Sequence, residues 1–437
     1  MKIGFVSLGC SKNLVDTEMS IGIFKKEKFE IVHNPEEAEM IVINTCGFIE
    51  SAKEEAINTI LEMAEYKLSG NCKYLVVMGC LVQRYKKELE KALPEVDLFI
   101  SIDEYDNFWE KISVLLNQKV ISKNPMDYMQ RVITTGNTTA YLKIAEGCSN
   151  KCTYCAIPYI RGPFVSRKME DILEEAEGLA KKGIKELIVI AQDTTKYGID
   201  IYGESKLAEL LDKLCKIEGF KWIRFLYSYP ESITDELIEV VKRNDKICKY
   251  FDIPLQHFSD KVLKRMNRKS DSLSIENTIQ KIRKEIPNVI LRTTLIVGFP
   301  GEDEEDFFKL YEYVNKAKFE KLGVFKYSKE DGTPAAKIKE QVHPKTKQSR
   351  LDKIMSLEQK ISQIKLEEKI GNIYEILIDD FTKDNKYAIA RSYMDIPNED
   401  GVIFIKNDGK AHIGDFKMCK ITDVKEYDLI GEWISEK

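Results

Sequence analysis

The sequence holds no apolar run approaching the ~18 to 20 residues of a bilayer span, which excludes a transmembrane helix. Its opening apolar stretch, residues 1–8, is too short for a secretory signal. It leads into Ser11-Lys12-Asn13 instead of a small-residue cleavage site, so the expectation is a cytoplasmic protein without membrane contact. Basic charge is not in excess either. Lys plus Arg number 67 against 72 Asp plus Glu, a net charge of −5, and a protein living mainly on phosphate contacts would be basic. Low-complexity sequence is missing too: with 43% hydrophobic and 32% charged residues, a disordered or collagenous chain is ruled out. At 437 residues the length suggests about three packed domains.

What the sequence does have is cysteine, at positions 10, 46, 72, 80, 148, 152, 155, 215, 248 and 419. In an intracellular chain these point to metal ligation or thiol chemistry rather than disulfides. Cys148, Cys152 and Cys155 form a Cys-x3-Cys-x2-Cys run. Three thiolates this close can hold three irons of a cubane cluster. A closed structural zinc site would need a fourth Cys or His, and the next histidine downstream is His257. Three ligands leave one iron open to a substrate or cosubstrate.

The run follows an apolar strand signal at 140–144. After it, strand signals at 186–191, 222–227, 250–253, 289–297 and 322–325 alternate with helical ones. The alternation predicts six parallel strands in an incomplete β/α barrel, with the cysteine loop at the C-terminal strand ends where cofactors sit. Gln192, in Ala191-Gln192-Asp193 at the end of the second strand, becomes a candidate cofactor contact. Gly298 and Gly301 read as turn glycines or as room for a ligand. The acidic run 302–306 reads as a helix start.

In the N-terminal third, three apolar segments each end in cysteine: residues 3–10, 40–46 and 73–80. The cysteines are 36 and 34 positions apart, the length of one strand-helix unit, and helices fit at 16–26, 51–66 and 85–93. A parallel sheet puts all three strand ends on one edge. Cys10, Cys46 and Cys80, flanked by Gly9, Gly47 and Gly79, are therefore predicted to converge as ligands of a second cluster. A single strand-end cysteine would read as core; three in matching places do not. Cys72, Cys215, Cys248 and Cys419 lack that setting and read as structural.

Residues 336–370 read as a Lys-rich helix whose stripe of Leu351, Ile354, Leu357, Ile361 and Ile364 packs on the barrel. Past 371 come short strands with polar turns, at 374–378, 387–392, 402–405 and 416–424, which predict a small antiparallel barrel. Residues 371–437 carry 14 Asp plus Glu against 9 Lys plus Arg. That is an awkward surface for a phosphate backbone and a suitable one for a basic protein.

The run Cys148-Ser149-Asn150-Lys151-Cys152-Thr153-Tyr154-Cys155 resembles the signature of the radical S-adenosyl-L-methionine (SAM) superfamily. The resemblance implies a 4Fe-4S cluster whose open iron binds SAM. One-electron cleavage of SAM then gives a 5′-deoxyadenosyl radical that abstracts hydrogen from an unactivated carbon. Tyr154 and Gln192 are the SAM-binding candidates. With Cys10, Cys46 and Cys80 ahead of such a barrel, the chain resembles the methylthiotransferase family. That family carries a second 4Fe-4S cluster and a C-terminal TRAM module of oligonucleotide-binding-like fold.

Ser7-Leu8-Gly9-Cys10-Ser11-Lys12-Asn13-Leu14-Val15-Asp16, Asn44-Thr45-Cys46-Gly47, Gly79-Cys80-Leu81-Val82-Gln83-Arg84-Tyr85 and Gln192-Asp193-Thr194-Thr195-Lys196-Tyr197-Gly198 are similar to the branch that modifies a ribosomal protein. The resemblance spans the chain, without departure at the six ligand positions. It implies an α/β protein with an N-terminal domain over 1–120, a radical SAM barrel over 135–335, a linker helix over 336–370 and a TRAM domain over 371–437. The implied cofactors are two 4Fe-4S clusters and SAM. The implied reaction is methylthiolation of the β-carbon of an aspartate in the small-subunit ribosomal protein numbered twelve. Its implied partners are that basic protein or the ribosomal particle and a reductant protein, with nucleic acid only as part of the ribosome.

Two rivals stand beside this reading. One is a tRNA adenosine methylthiotransferase with the same clusters. The other is a noncatalytic iron–sulfur carrier or RNA-binding protein, which gives no reason for an open iron in both cysteine sets. A cobalamin module ahead of the barrel would offer an Asp-x-His-x-x-Gly loop. None of the four histidines has that setting, and His33 reads as a loop residue.

Overall fold

The near-unbroken apolar runs of the N-terminal third form strands buried on both faces, the pattern of a covered parallel sheet. In the computed structural model, which describes residues 1–118 and 125–434, β1 (Lys2–Ser7), β2 (Glu30–Val32), β3 (Met40–Thr45), β4 (Tyr74–Gly79) and β5 (Leu98–Ile100) pair in the order β2-β1-β3-β4-β5. Every pairing is parallel. The expected domain end at 120 and the last three residues of the chain lie outside the described residues. The registers Ser7↔Asn44 and Thr45↔Gly79 bring the strand ends level along one edge. The strands stop before their cysteines because the chain turns at Gly9 (φ +87°) and Gly79 (φ +104°). Cys10 thus precedes the helix Ser11–Lys26, and Cys80 opens the helix Cys80–Ala92.

The central region supplies β6 (Thr139–Lys143), a two-residue antiparallel ribbon of β7 (Ala145–Glu146) and β8 (Val165–Ser166), then β9 (Glu186–Ile190), β10 (Trp222–Phe225), β11 (Tyr250–Asp252), β12 (Ile290–Val297) and β13 (Lys321–Lys326). The six long strands form two parallel three-stranded sheets, β10-β9-β6 and β11-β12-β13. A parallel bridge Ile223↔Ile247 and the bond from Ser228 N to Asp252 O (2.8 Å) join the sheets into one arc. Side chains alternate across it. Leu142, Val189, Phe225, Phe251 and Leu291 face the helices. Tyr141, Ile188, Trp222, Tyr250 and Ile290 face inward, against Val15 and Met19 of the first helix and Met394 and Ile396 of the C-terminal region. The concave face of the arc is therefore shared by both flanking regions. Asp303 caps the helix Glu304–Ala317, as the acidic run led one to expect, but Glu302 turns inward and pairs with Arg350 at 2.7 Å.

The helix Pro344–Glu367 lies along β13 and the helix Glu304–Ala317. Ile354 and Ile361, about 20° apart at ~100° per residue, are its buried centre. Ile364 departs from expectation. It stands a further ~60° round the helix and is 51% exposed.

The C-terminal barrel also departs from expectation. Its strands β14 (Ile373–Phe381), β15 (Tyr387–Ser392), β16 (Ile403–Lys406), β17 (Phe416–Lys425) and β18 (Asp428–Trp433) close in the order β14-β15-β16-β18-β17. Four pairings are antiparallel, and β16 with β18 is parallel. The barrel is mixed for a geometric reason: directions cannot alternate around a closed ring of odd strand number. Among the described residues no helix is long and apolar enough to cross a membrane.

Candidate functional site

The parallel sheet gathers the first cysteine set. A Cβ on Gly9 would lie 2.7 Å from Cys46 Cβ, so the Cys10 loop rests directly on Cys46. A Cβ on Gly79 would lie 2.3 Å from Asn44 Oδ1, so only glycine lets the chain turn Cys80 into this edge. The Cys80 thiol donates to Asn13 Oδ1 at 3.4 Å. Burial raises the Cys46 thiol and pushes Cys80 up to about 12, even though the Arg161 guanidinium beside Cys80 favours its thiolate. The charges of Cys10 and Cys46 both bear on Cys80.

The second set lies on the loop between β7 and β8. Gly147 has φ +72°, and a Cβ there would meet Pro163 O at 2.0 Å. Cys148 N donates to Gly162 O (3.0 Å) and Thr153 N to Met266 O (3.0 Å), which pins the loop at both ends. Cys148 and Cys152 are buried and Cys155 half-buried; burial raises the thiols of Cys148 and Cys155. Tyr154 turns away from solvent and packs with Phe299 and Tyr327. Cys152 Sγ is 3.7 Å from the Tyr229 hydroxyl, and Arg268 stacks 4.2 Å over the Tyr229 ring. Gln192 Nε2 donates to Glu146 Oε1 at 3.0 Å, which places Gln192 beside the loop.

Three features of these surroundings fit an inorganic cluster with an organic cosubstrate. The donors are soft thiols, glycines clear the backbone around both sets, and buried Gln192 Oε1 and Arg268 Nε and Nη1 have no protein partner. Among the described residues no three His, Cys, Asp or Glu side chains stand close enough to share a single metal ion. A cubane does not need that, because each thiolate takes a different iron.

The two sets are neighbours across the domain seam. Cys80 packs with Ala156 and Ile160, directly after Cys155 in the chain. Arg161, fully buried, donates to Asp16 Oδ2 (2.9 Å), Asn13 Oδ1 (2.6 Å), Glu146 Oε2 (2.9 Å) and Cys80 Sγ (3.6 Å). Lys143 bonds the same two carboxylates, Asp16 and Glu146. Burial alone would raise the Glu146 carboxyl, yet Lys143 and Arg161 hold it well below the usual range. One saturated charge network thus ties β6, β7 and the cysteine loop to the first helix. On the far side of the mouth, Arg84 and Lys53 both pair with Glu330.

Sequence reasoning had not singled out Asn13, Asp16, Lys143, Glu146 or Arg161. The first two carried a usable signal: Asn13, Asp16, Thr17 and Ser20 are buried polar residues at helical spacing just after Cys10. Arg161 carried none.

A partial barrel of six parallel strands with a Cys-x3-Cys-x2-Cys loop at its C-terminal edge defines the class, a radical SAM protein, which works with SAM and a 4Fe-4S cluster. Residues 142–314 match the Radical SAM superfamily, residues 2–101 the Uncharacterized protein family UPF0004, and residues 370–434 the TRAM domain. The sequence is 65% identical over 437 residues to the ribosomal protein uS12 methylthiotransferase RimO of Alkaliphilus oremlandii, with all of both chains covered. It is 49% identical to the protein of that name from Acetivibrio thermocellus, covering 100% of this chain and 99% of the other. The chain belongs to the RimO family of radical SAM methylthiotransferases.

Among solved structures, the radical SAM methyltransferase TsrM of Kitasatospora setae superposes with a TM-score of 0.56 at 11% identity, over 76% of each chain. The radical SAM enzyme OxsB gives 0.51 at 13% identity, over 82% of this chain and 56% of the other. These likenesses concern the fold alone.

Proposed function

We propose that this methylthiotransferase acts on the small-subunit ribosomal protein uS12 and inserts a methylthio group at the β-carbon of an aspartate. The observation that carries the reading is the identity of 65% over the whole chain to an enzyme of that name. Cys148, Cys152 and Cys155 would hold a 4Fe-4S cluster that binds SAM, and Tyr154 and Gln192 would contact SAM. Cys10, Cys46 and Cys80 hold an auxiliary 4Fe-4S cluster. When bound, these groups supply one-electron chemistry able to break an unactivated carbon–hydrogen bond, together with the sulfur to be transferred. The protein's own part is positional. Arg161 and Lys143 tie the first helix to β6, β7 and the cysteine loop, which holds the two sets at a fixed separation.

The charge of the C-terminal barrel supports a basic protein partner. Asp384 and Glu432 are exposed beside Lys386 and Lys420, while Arg391, the one arginine of the module, is buried against Glu186 of β9. The excess of acid over base across residues 371–437 speeds encounter with a positive partner. The substrate places the enzyme in the cytoplasm with the ribosome, and the chemistry requires an electron-donor protein.

The test is mass spectrometry of ribosomal proteins and of tRNA nucleosides from cells with and without the gene. A methylthio mass on a uS12 aspartate that vanishes with the gene is the expected outcome. Loss of methylthio-adenosine in tRNA with an unchanged uS12 would overturn the assignment.

A further inference from the structure

The first helix carries a cation where two physical rules disfavour one. Lys12 sits in the first turn of Ser11–Lys26, at the positive end of the helix dipole, and is only 6% exposed. A buried charge without a counter-charge is costly. Yet among the described residues no carboxylate stands within 4.0 Å of the Lys12 ammonium, and it donates no hydrogen bond. Its one close neighbour is the Tyr227 ring, with Nζ 3.1 Å from the ring centroid.

That ring is built into place. Tyr227 follows β10 at the barrel mouth with φ +63°, a left-handed conformation unusual for an aromatic residue. Thr194 N donates to its carbonyl (3.1 Å), and its own N–H donates to Asp252 Oδ2 (3.0 Å). The hydroxyls of Ser11 and Ser228, each one residue along the chain from this pair, are also buried with no protein partner. Arg292, a second cation at this end of the concave face, is in direct contact with Asp252 (3.2 Å) and Glu399 (2.7 Å), whereas the same two carboxylates act on Lys12 only from beyond ion-pair distance. Lys12 touches the Tyr227 ring and no carboxylate.

We propose that Lys12, seated on the Tyr227 ring, anchors the side-chain carboxylate of the peptide residue that is modified. The inference deepens the reading of an aspartate-bearing protein substrate and rests on it. Its chemistry is specific. The reacting β-carbon is bonded to the carboxyl carbon, so an ammonium that grips the carboxylate fixes the target C–H one bond away. Lys12 is two residues from Cys10, and Tyr227 follows β10, which pairs with the strand that leads to Gln192, so the grip lies beside the first cysteine set on the barrel side. One face of the ammonium meets the ring; its remaining hydrogens are free for carboxylate oxygens. An adenosine offers no such group.

The test is a binding measurement on anaerobically reconstituted holoenzyme, with purified uS12, its Asp→Asn form at the modified position, and SAM titrated separately. Wild type should prefer the aspartate form roughly tenfold to a hundredfold, as expected for a charge-assisted bond. Lys12→Met should bring that ratio close to one while leaving the affinity for SAM unchanged, and Lys12→Arg should keep part of the preference. A wild-type ratio in Lys12→Met overturns the proposal. So does a loss of SAM affinity with the ratio intact, since the ammonium would then serve the carboxylate of SAM. Should Lys12→Met bind less than the full iron, Tyr227→Leu decides: a reduced preference supports the anchor, and an unchanged one overturns it. Wild-type enzyme that binds a tRNA stem-loop and ignores both forms of uS12 would instead remove the reading beneath.

Discussion

The two cysteine sets solve one problem in opposite ways. Cys148, Cys152 and Cys155 fall within eight consecutive residues, on a loop held between β7 and β8. Cys10, Cys46 and Cys80 come from three strand ends and exist as a set only when β1, β3 and β4 are in register. The first is a property of a peptide, the second of a sheet. A loop of three near cysteines has little chain entropy left to lose, whereas bringing distant cysteines together draws on the whole stability of the domain. The glycines reflect the same division: Gly147 relieves a contact with Pro163 close by in the chain, Gly79 one with Asn44 on the neighbouring strand.

The largest effect that can break this comparison comes from removing the sets themselves. Replacing Cys148, Cys152 and Cys155 together with alanine should leave about half of the iron and sulfide of the reconstituted protein. Replacing Cys10, Cys46 and Cys80 should leave the other half. Iron and acid-labile sulfide analysis reads both. A full complement in the N-terminal triple variant would mean that convergence at the sheet edge is packing and not ligation.

Next in size is the joint between the sets. Arg161 is buried among Asp16, Asn13, Glu146 and Cys80, and Arg161→Met would leave Lys143 to serve buried Asp16 and half-buried Glu146. Breaking a buried pair from one side costs about 3–5 kcal/mol. The domain seam should loosen, with a lower Tm, and the absorption of the N-terminal set should change more than that of the loop set. Equal disturbance of both spectra would say that the joint serves the whole interface; an unchanged Tm would say that it bears no charge burden.

Local chemistry was legible in the sequence, and distant partnership was not. The parallel sheet with its level strand ends and the six barrel strands follow from apolar runs of strand length at even spacing. The parallel pair β16–β18 is set by the closure of five strands, a property of the ring that no strand displays alone. Ile364 looked like stripe in the linear pattern and falls at its edge once angles are counted. Arg161 is invisible for a plainer reason: Asp16 and Asn13 are 145 and 148 positions away. Lys12 was legible as a letter beside Cys10. That no carboxylate reaches it within ion-pair distance, while Tyr227 does, is a fact of three dimensions.

The smallest effects sharpen the comparison from outside both sets. Acidity does not separate the two kinds of thiol here, because burial takes Cys80 of the strand-end set and Cys419 of the core alike to about 12. Neighbourhood does. Cys419 Sγ fills the space left by Gly431, where a Cβ would come within 2.2 Å of it, so Cys419→Ala leaves a small cavity and should cost about 1 kcal/mol. Cys72 and Cys248 are buried ahead of strands, and their alanine variants should lose about as much. Cys215, half-buried at the end of the helix Leu207–Cys215, should lose about 0.5 kcal/mol or less. All four variants should reconstitute with the parent's iron and sulfide, because none of these cysteines sits at a glycine-cleared strand end or on the β7–β8 loop. Urea unfolding gives the energies and iron analysis the decisive number. Iron below the parent's in any one of the four would enlist that cysteine as a ligand and end the division into two sets of three.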